Sequence, residues 1–304
     1  MSTPVISYSP VILSVPGRPV DLQVRVSAPA TGTGLPVILL SHGHGFANNL
    51  SSLNGYAPIA NYWAAHGFVV VQPTHLSSRT LTSQVADAPG APYFWRSRAE
   101  DMSQILDQFD RLENAVPQLA GRVNRDQVAV AGHSLGGLTA TQLLGARITD
   151  PETGEIADLR EPRIKQGIVF AAPGRGDVLN GPMADAIDFA RTIDFGTMTT
   201  PALIVAGDKD DSQHFTDFGP DWHADPYHLA PAPKTLLTVF GAEHLLGGIQ
   251  GYDAAETTDE NPERVAAIGR LTTAYLRTQF QLDPTDWQEA TTALAHLTQI
   301  HTKQ

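Results

Sequence analysis

The sequence predicts an α/β protein whose mostly parallel central sheet is covered by helices on both faces. Continuous apolar runs indicate strands that are buried on both sides. They lie at residues 36–40, 68–71, 128–131, 168–171, 202–206 and 235–239. Segments with helical periodicity alternate with these runs, as expected for parallel strands joined by helical crossovers. A glycine-rich turn, GHSLG at residues 132–136, joins one strand to the next helix and is the most informative local feature.

The other elements are expected to surround this sheet in a single domain that spans residues 1–304. Two β-rich runs at 5–15 and 20–26, separated by PGRP, predict an antiparallel N-terminal hairpin within residues 1–30. Helices are predicted at 56–66, around 102–112, from 135 to about 145 and at 262–280. Trp287, Leu294 and Leu297 predict an additional C-terminal helix within residues 282–304. No large lid domain is expected, and the segment at 173–200 is interpreted as part of the wall of a site.

The composition excludes several classes of function. The 304 residues are 42% hydrophobic and contain 20 Lys and Arg against 32 Asp and Glu, a formal charge of −12. That sign argues against nucleic acids and anionic membrane surfaces as partners, because both are polyanions. The chain has no cysteine, so disulfides, thiolate nucleophiles and thiolate metal sites are impossible.

The sequence shows no recognisable targeting signal. No basic segment followed by an apolar stretch is visible at the N-terminus, and no uncharged apolar run reaches the roughly 18 residues that suggest a membrane span. A cytoplasmic location is therefore expected, with a secreted mature form as the alternative. Membrane insertion is not expected, and the sequence does not indicate an oligomeric state.

Ser134 is the candidate nucleophile. A strand that ends in Gly-x-Ser-x-Gly and runs into a helix is typical of a sharp, strained turn that exposes the serine hydroxyl above the sheet. Gly132 and Gly136 are required because a Cβ at either position would collide with backbone as the chain doubles back. A serine hydroxyl is a poor nucleophile at neutral pH. It needs a base, a carboxylate that orients the base, and donors for the oxyanion that forms.

The base and the carboxylate are expected at the carboxyl ends of two later strands, because groups of one site meet there in an open parallel sheet. His244 follows the strand at 235–239 and has no other histidine near it in the sequence, so it is the predicted base. Asp210 is the predicted carboxylate, since it occupies the Gly-x-x-Asp position in the turn after residues 202–206. Asp211 and then Asp208 are the alternatives.

Two backbone N–H groups are predicted to bind the oxyanion. Leu135 directly follows the nucleophile at a helix N-terminus, where the helix dipole favours negative charge. His44 lies in the loop SHGHGF at residues 41–46, whose glycines allow close backbone approach. Phe46, His75 and Trp95 are predicted to line an apolar substrate pocket.

A zinc site is the alternative interpretation of His42, His44 and His133, because a His-x-His pair with a third histidine can bind that ion. We expect these histidines to pack and form hydrogen bonds around the serine turn instead. The sequence therefore predicts a site without metal or cofactor.

With Ser134, Asp210 and His244 in this chain order, the sequence resembles the serine esterases of the α/β-hydrolase fold. It resembles in particular the group that contains plasma-type platelet-activating-factor acetylhydrolases, chlorophyllase-like enzymes and predicted dienelactone hydrolases of bacteria. The motifs are LSHGHG at 40–45, QPTH at 72–75, the segment 98–112, GHSLGG at 132–137 and DLREPRI at 158–164. True dienelactone hydrolases use a cysteine nucleophile, which this chain lacks, so that substrate is not transferred.

The resemblance covers roughly residues 35–280 and implies hydrolysis of carboxylic esters through a Ser134 acyl-enzyme. A small-molecule or polymeric ester of apolar character, such as a lipid, aryl or polyester, is the expected substrate. An acyltransferase, a cofactor-free haloperoxidase or a peptidase on the same three residues is the alternative. A hydrolase-fold protein that only binds a ligand is a further alternative, although such proteins often lack one of the three residues.

Overall fold

The computed structural model describes residues 2–251 and 254–304. Its strands, in chain order, are β1 (Val5–Leu13), β2 (Leu22–Pro29), β3 (Leu35–Ser41), β4 (Val69–Pro73), β5 (Val123–His133), β6 (Arg147–Thr149), β7 (Ile156–Asp158), β8 (Ile164–Phe170), β9 (Ala202–Gly207), β10 (Lys234–Val239) and β11 (Thr298–Lys303). Nine of them form one sheet in the order β1-β2-β4-β3-β5-β8-β9-β10-β11. Six adjacent strands of this sheet, β4, β3, β5, β8, β9 and β10, are parallel to one another. The pairs β1 with β2, β2 with β4 and β10 with β11 are antiparallel. The prediction of a mostly parallel sheet with an antiparallel N-terminal hairpin is confirmed.

Helices cover both faces of this sheet. They are α1 (Ala57–Ala65), α2 (Thr82–Val85), α3 (Trp95–Asp107), α4 (Phe109–Ala115), α5 (Leu135–Leu143), α6 (Asp225–Leu229), α7 (Pro262–Gln279) and α8 (Asp286–Ala293). In β3, Val37 and Leu39 belong to a core shared with α3, α4 and α5, while Ile38 and Leu40 belong to a second core shared with α1 and α7. Successive side chains of a strand point to opposite faces, so one apolar run supplies both cores.

The two ends of the chain were predicted with different success. The N-terminal hairpin is present as β1 and β2. Within residues 282–304 the predicted helix is shorter than expected, because α8 ends at Ala293 and Leu297 lies outside it. The expectation of helix alone is wrong there, since Thr298–Lys303 forms the edge strand β11, antiparallel to β10. Its outward side chains are polar, so the apolar pattern that reveals interior strands is missing.

Two segments expected to be irregular lie between α5 and β8 and between β8 and β9 in the chain. Residues 149–163 contain part of a small antiparallel pair, β6 with β7, rather than a purely irregular excursion. Residues 173–200 form short 3₁₀ turns and no sheet of their own. Among the described residues, no helix combines the length and apolarity needed to cross a membrane.

Candidate active site

Ser134 lies in a strained turn between β5 and α5. Its backbone has φ 55° and ψ −120°, a region that residues with a side chain rarely adopt. A Cβ on Gly132 would lie 2.0 Å from the carbonyl oxygen of Gly136, and a Cβ on Gly136 would lie 2.2 Å from that of Ser41. Both distances are impossible contacts, so the sequence-based reason for these glycines is confirmed. The turn is thus tight because the backbone of β3 lies directly against it.

The structure brings Ser134, His244 and Asp210 together from the ends of β5, β10 and β9. The Ser134 hydroxyl donates to Nε2 of His244 over 3.0 Å. On the other side of the ring, Nδ1–H of His244 donates to the Asp210 carboxylate at 2.9 and 3.1 Å. The Asp210 side chain is 1% exposed, whereas that of His244 is 36% exposed, so the buried carboxylate holds a ring that faces the solvent.

The alternative carboxylates lie elsewhere in the same turn. Asp211 is exposed and accepts from the side-chain amide of Gln213. Asp208 accepts the backbone N–H of Gly241 and so ties the turn after β9 to the turn after β10. Neither hydrogen-bonds to His244 in the described structure, which leaves Asp210 as the only carboxylate on the ring.

Electrostatics in this cluster favour an ionised carboxylate and a basic imidazole. Burial tends to raise the pKa of Asp210, but the charges of His244 and His223 outweigh it and hold that pKa far below the ordinary value. Burial likewise tends to lower the pKa of His244, and here the charge and hydrogen bond of Asp210 prevail and raise it. His244 therefore takes up a proton more readily than a free histidine would.

Leu135 and His44 line the same cavity as Ser134. Leu135 is the first residue of α5, where backbone N–H groups have no acceptor within the helix. The N–H of His44 pairs with no backbone carbonyl of the described residues. Burial, followed by the charges of Arg98 and Arg79, lowers the pKa of the His44 imidazole to about 4, so this ring is neutral near pH 7.

A chain of hydrogen bonds joins the loop after β3 to the turns after β5 and β10. The N–H of Gly43 donates to the Tyr56 hydroxyl at 3.0 Å, and this hydroxyl donates to Nδ1 of His133 at 2.8 Å. Nε2–H of His133 in turn donates to the carbonyl oxygen of His244 at 2.7 Å. Burial lowers the pKa of His133 to about 3, which keeps the ring neutral, as one accepting and one donating nitrogen require.

The hydrogen bonds of His42 and His133 argue against the alternative of a zinc site. His42 donates from Nδ1 to the carbonyl of Gly43, and its Nε2 accepts the N–H of His75. Both nitrogens of His133 are occupied as well, so neither histidine has a nitrogen left for a metal. In the described part of the chain the one group with metal-like spacing is Asp210, His223 and His244, with ligand atoms within 4.8 Å of one another. Direct contacts between these side chains, without a metal ion, explain their close spacing.

Arg98 lies buried behind the loop after β3. Its guanidinium donates to the carbonyl oxygen of His42, to the hydroxyl of Ser41 and, through Nε, to Thr139 on α5. No carboxylate forms an ion pair with it in the described structure. Burial lowers the pKa of Arg98 to about 9, against the opposing charge of Asp101, so the group stays cationic at neutral pH. A buried cation without a carboxylate partner is costly, and here its donors hold the loop that carries His44.

His75 belongs to the same cluster rather than to the pocket. Its Nδ1–H donates to Asp101 at 2.9 Å and its Nε2 accepts the Ser41 hydroxyl at 2.9 Å, while Arg18 binds the other oxygen of Asp101. The residue is 0% exposed, so a side chain that ends a strand is here turned inward. His75 does not line the substrate pocket, contrary to the expectation; it buttresses the loop after β3.

Replacement of Arg98 by methionine is expected to lower kcat for a short ester by about 10²-fold, with a smaller change in KM. Methionine fills similar space but donates nothing, so the His42 carbonyl loses its donor and the backbone around His44 drifts; an ångström of misplacement costs about that much. Steady-state kinetics of the purified variant, with its thermal midpoint, measure the effect. Arg96→Met is the matched control on α3, because Arg96 is 39% exposed and its guanidinium contacts Asp150 and the Trp95 ring rather than the loop after β3. A folded Arg98→Met enzyme with normal kcat would contradict this role.

Two connected clefts meet at Ser134 and His244. One, of about 260 Å³, is apolar and is walled by Tyr93, Leu138, Ile187, Phe189 and Phe215. The other, of about 370 Å³, is more polar and includes Lys209, Asp211, Glu243 and Glu256. The segment at 173–200 contributes Ile187 and Phe189, so its predicted role as a wall is confirmed.

Of the predicted pocket residues, Phe46 alone lines these clefts. It borders both of them and is 80% exposed, with the Arg79 guanidinium 5.5 Å from its ring centre. Trp95 is not part of either lining, contrary to the expectation. It stacks on Phe189 with ring centres 6.0 Å apart and supports the apolar wall from behind.

Sequence reasoning missed three residues that complete the arrangement: Tyr56, Arg98 as a loop anchor, and His223 beside Asp210. Tyr56 carries a positive φ of 60°, and Arg98 lies on the buried face of α3, which also carries Asp101 beside apolar residues. A charged residue on that face is a signal that could have singled out Arg98. No comparable signal marks His223, which lies in a short 3₁₀ turn after an irregular segment.

The sheet order, the strained serine and the Ser134–His244–Asp210 contacts together define the class of this protein, and sequence comparison agrees. The alpha/beta hydrolase family model matches residues 37–300, and the chain belongs to that family. It is similar to two platelet-activating factor acetylhydrolases, from Cavia porcellus (31% identity over 147 residues) and from Bos taurus (29% over 150 residues). Each match covers 38% of this chain and 33% of the relative, so it spans about a third of the length of these relatives.

Proposed function

We propose that this protein hydrolyses carboxylic esters through a covalent Ser134 acyl-enzyme. The observation that carries the proposal is the continuous chain of contacts from the Ser134 hydroxyl to His244 at 3.0 Å and on to Asp210 at 2.9 Å. This is the geometry of an activated nucleophile with an oriented base. The partial similarity to enzymes named acetylhydrolases supports an ester as the bond cleaved.

In the first half of the reaction, Ser134 Oγ attacks the ester carbonyl carbon while Nε2 of His244 takes the hydroxyl proton. The oxyanion is bound by the N–H groups of Leu135 and His44, which the preceding strands hold in place before substrate arrives. The carbon–oxygen bond to the alcohol then breaks, and His244 returns the proton to the leaving alkoxide. Asp210 keeps the ring in the tautomer that accepts at Nε2 and stabilises the imidazolium between these steps.

In the second half, water replaces the alcohol. His244 takes a proton from water as its oxygen attacks the acyl carbon, and the same two N–H groups bind the new oxyanion. Collapse breaks the bond to Ser134 Oγ, and His244 returns the proton to the serine. The cycle consumes only ester and water, and every proton it moves passes through Nε2 of His244, while Nδ1 keeps its proton hydrogen-bonded to Asp210.

The two clefts suggest how an ester lies in the site. The apolar cleft between Leu138, Ile187 and Phe189 suits a short aliphatic or aryl group, and its volume of about 260 Å³ limits the size of that group. The polar cleft beside Lys209 and Glu243 is open to water and suits the more polar part of the substrate. We propose an apolar ester of small size, whether free or at the end of a polymer.

Covalent labelling tests the proposal most directly. A fluorophosphonate is expected to label the wild-type protein at Ser134 alone, as read by peptide mass spectrometry, and to abolish hydrolysis of p-nitrophenyl acetate and butyrate in parallel. Because the apolar cleft is small, kcat/KM is expected to fall for acyl chains much longer than these. Labelling of another serine, or no labelling with no hydrolysis across the ester series, would overturn the proposal.

A further inference from the structure

The carboxylate of Asp210 is held by side chains on two sides. His244 donates to it from one side, and Nε2 of His223 lies 3.1 Å from Oδ1 on the other. Ser212 donates to the same Oδ1 at 3.3 Å and is 3.0 Å from Nε2 of His223. Both Asp210 and His223 are 1% exposed, so these are contacts in a dry environment. The described structure shows no backbone N–H that donates to this carboxylate.

The second nitrogen of His223 fixes the state of the ring. Nδ1 lies 2.8 Å from the carbonyl oxygen of Ala172, which can only accept, so Nδ1 carries a proton. A neutral ring could accept the Ser212 hydroxyl at Nε2 over 3.0 Å, but Oδ1 of Asp210 would then lose this donor. The lone pair of Nε2 would also lie 3.1 Å from the same Oδ1, where two acceptors repel each other. A ring with protons on both nitrogens satisfies Ala172 and Asp210 together, and it leaves the Ser212 hydroxyl free to donate to Oδ1.

We infer that His223 is a positioning residue that holds Asp210 by donating from Nε2, as a buried imidazolium, opposite the catalytic pair of Asp210 and His244. The inference rests on the proposed function, because it assigns Asp210 and His244 their roles. Two consequences follow: His223 fixes the orientation of the carboxylate, and its positive charge offsets part of the negative charge that His244 experiences.

The second consequence sets the pH profile. The groups that face His244 are Asp210, His223, His133, His214 and Asp259. The rings of His223 and His244 have centres 5.3 Å apart, so a cation on His223 opposes protonation of His244. Loss of that cation makes protonation of His244 easier and raises its pKa. Since only the neutral His244 acts as a base, the acid limb of kcat/KM then moves to higher pH.

Two substitutions separate positioning from charge. His223→Phe removes both the donor and the charge, and is expected to lower kcat by roughly ten- to a hundredfold, by analogy with the loss of a group that orients a metal-binding side chain. His223→Gln keeps a neutral donor and is expected to restore most of kcat. Both variants are expected to shift the acid limb of kcat/KM upward by on the order of one pH unit. His296→Gln, at a side chain 62% exposed on the surface, is the control and should change neither quantity.

The protonation of the His223 ring is measured independently by ¹⁵N NMR of the wild-type histidine side chains at neutral pH. The spectrum of His223→Gln, which lacks the His223 signals, assigns them. Both nitrogens of His223 are expected to be protonated. An unprotonated Nε2 would overturn the inference, and so would an unshifted acid limb in both variants of an active enzyme. If the wild type neither hydrolyses esters nor reacts with fluorophosphonate, the proposed function fails instead, and the NMR measurement still decides the state of His223.

Discussion

Replacement of Ser134 by alanine is expected to lower kcat for ester hydrolysis by about 10⁶-fold. No other hydroxyl lies on Nε2 of His244 in the described structure, so the variant has no activated nucleophile. What activity remains should come from water bound near the two N–H donors, because that part of the site is untouched. The measurement is kcat on a p-nitrophenyl ester, with active-site titration to exclude traces of wild-type enzyme.

The controls for Ser134→Ala separate chemistry from binding. Ser14→Ala, at an exposed position directly after β1, should retain full activity. Binding of a non-hydrolysable ketone or amide analogue by Ser134→Ala should stay close to the wild-type level, since both clefts keep their other walls. A Ser134→Ala protein that hydrolyses esters at more than a small fraction of the wild-type rate would place the nucleophile elsewhere.

The parts of this site that the sequence predicts are those fixed by local backbone geometry. Ser134 is recognisable because the turn after β5 demands glycine at two flanking positions, where neighbouring carbonyl oxygens lie about 2 Å from any Cβ. Asp210 and His244 are recognisable because parallel strands end at one edge of a sheet, so the residues after β9 and β10 must meet there. In each case a few adjacent letters carry the information.

The parts that escaped prediction depend on contacts between distant segments. The edge strand β11 pairs through its backbone and presents mostly polar side chains, so nothing in its residues announces a strand. His75 follows β4 at the position where a pocket residue would be expected, yet its ring is turned inward to Asp101 on α3. His223 reaches Asp210 only because an irregular segment after Asp210 folds back over it, and such segments have no periodicity to read.

Replacement of Asp210 by asparagine is expected to lower kcat by about 10⁴-fold while leaving KM nearly unchanged. An amide in this position can turn its NH₂ toward Nδ1 of His244, which then accepts, and the ring must carry its proton on Nε2. That tautomer cannot take the proton of Ser134. The acid limb of any remaining kcat/KM should also move to lower pH, because the negative charge that raises the pKa of His244 is gone.

The neighbouring carboxylate supplies a matched control for Asp210→Asn. Asp211 follows it directly, is exposed and contacts Gln213 rather than His244, so Asp211→Asn should retain kcat within about twofold, as surface substitutions usually do. Equal losses of kcat in the two variants would assign the orienting carboxylate to the turn as a whole and not to Asp210.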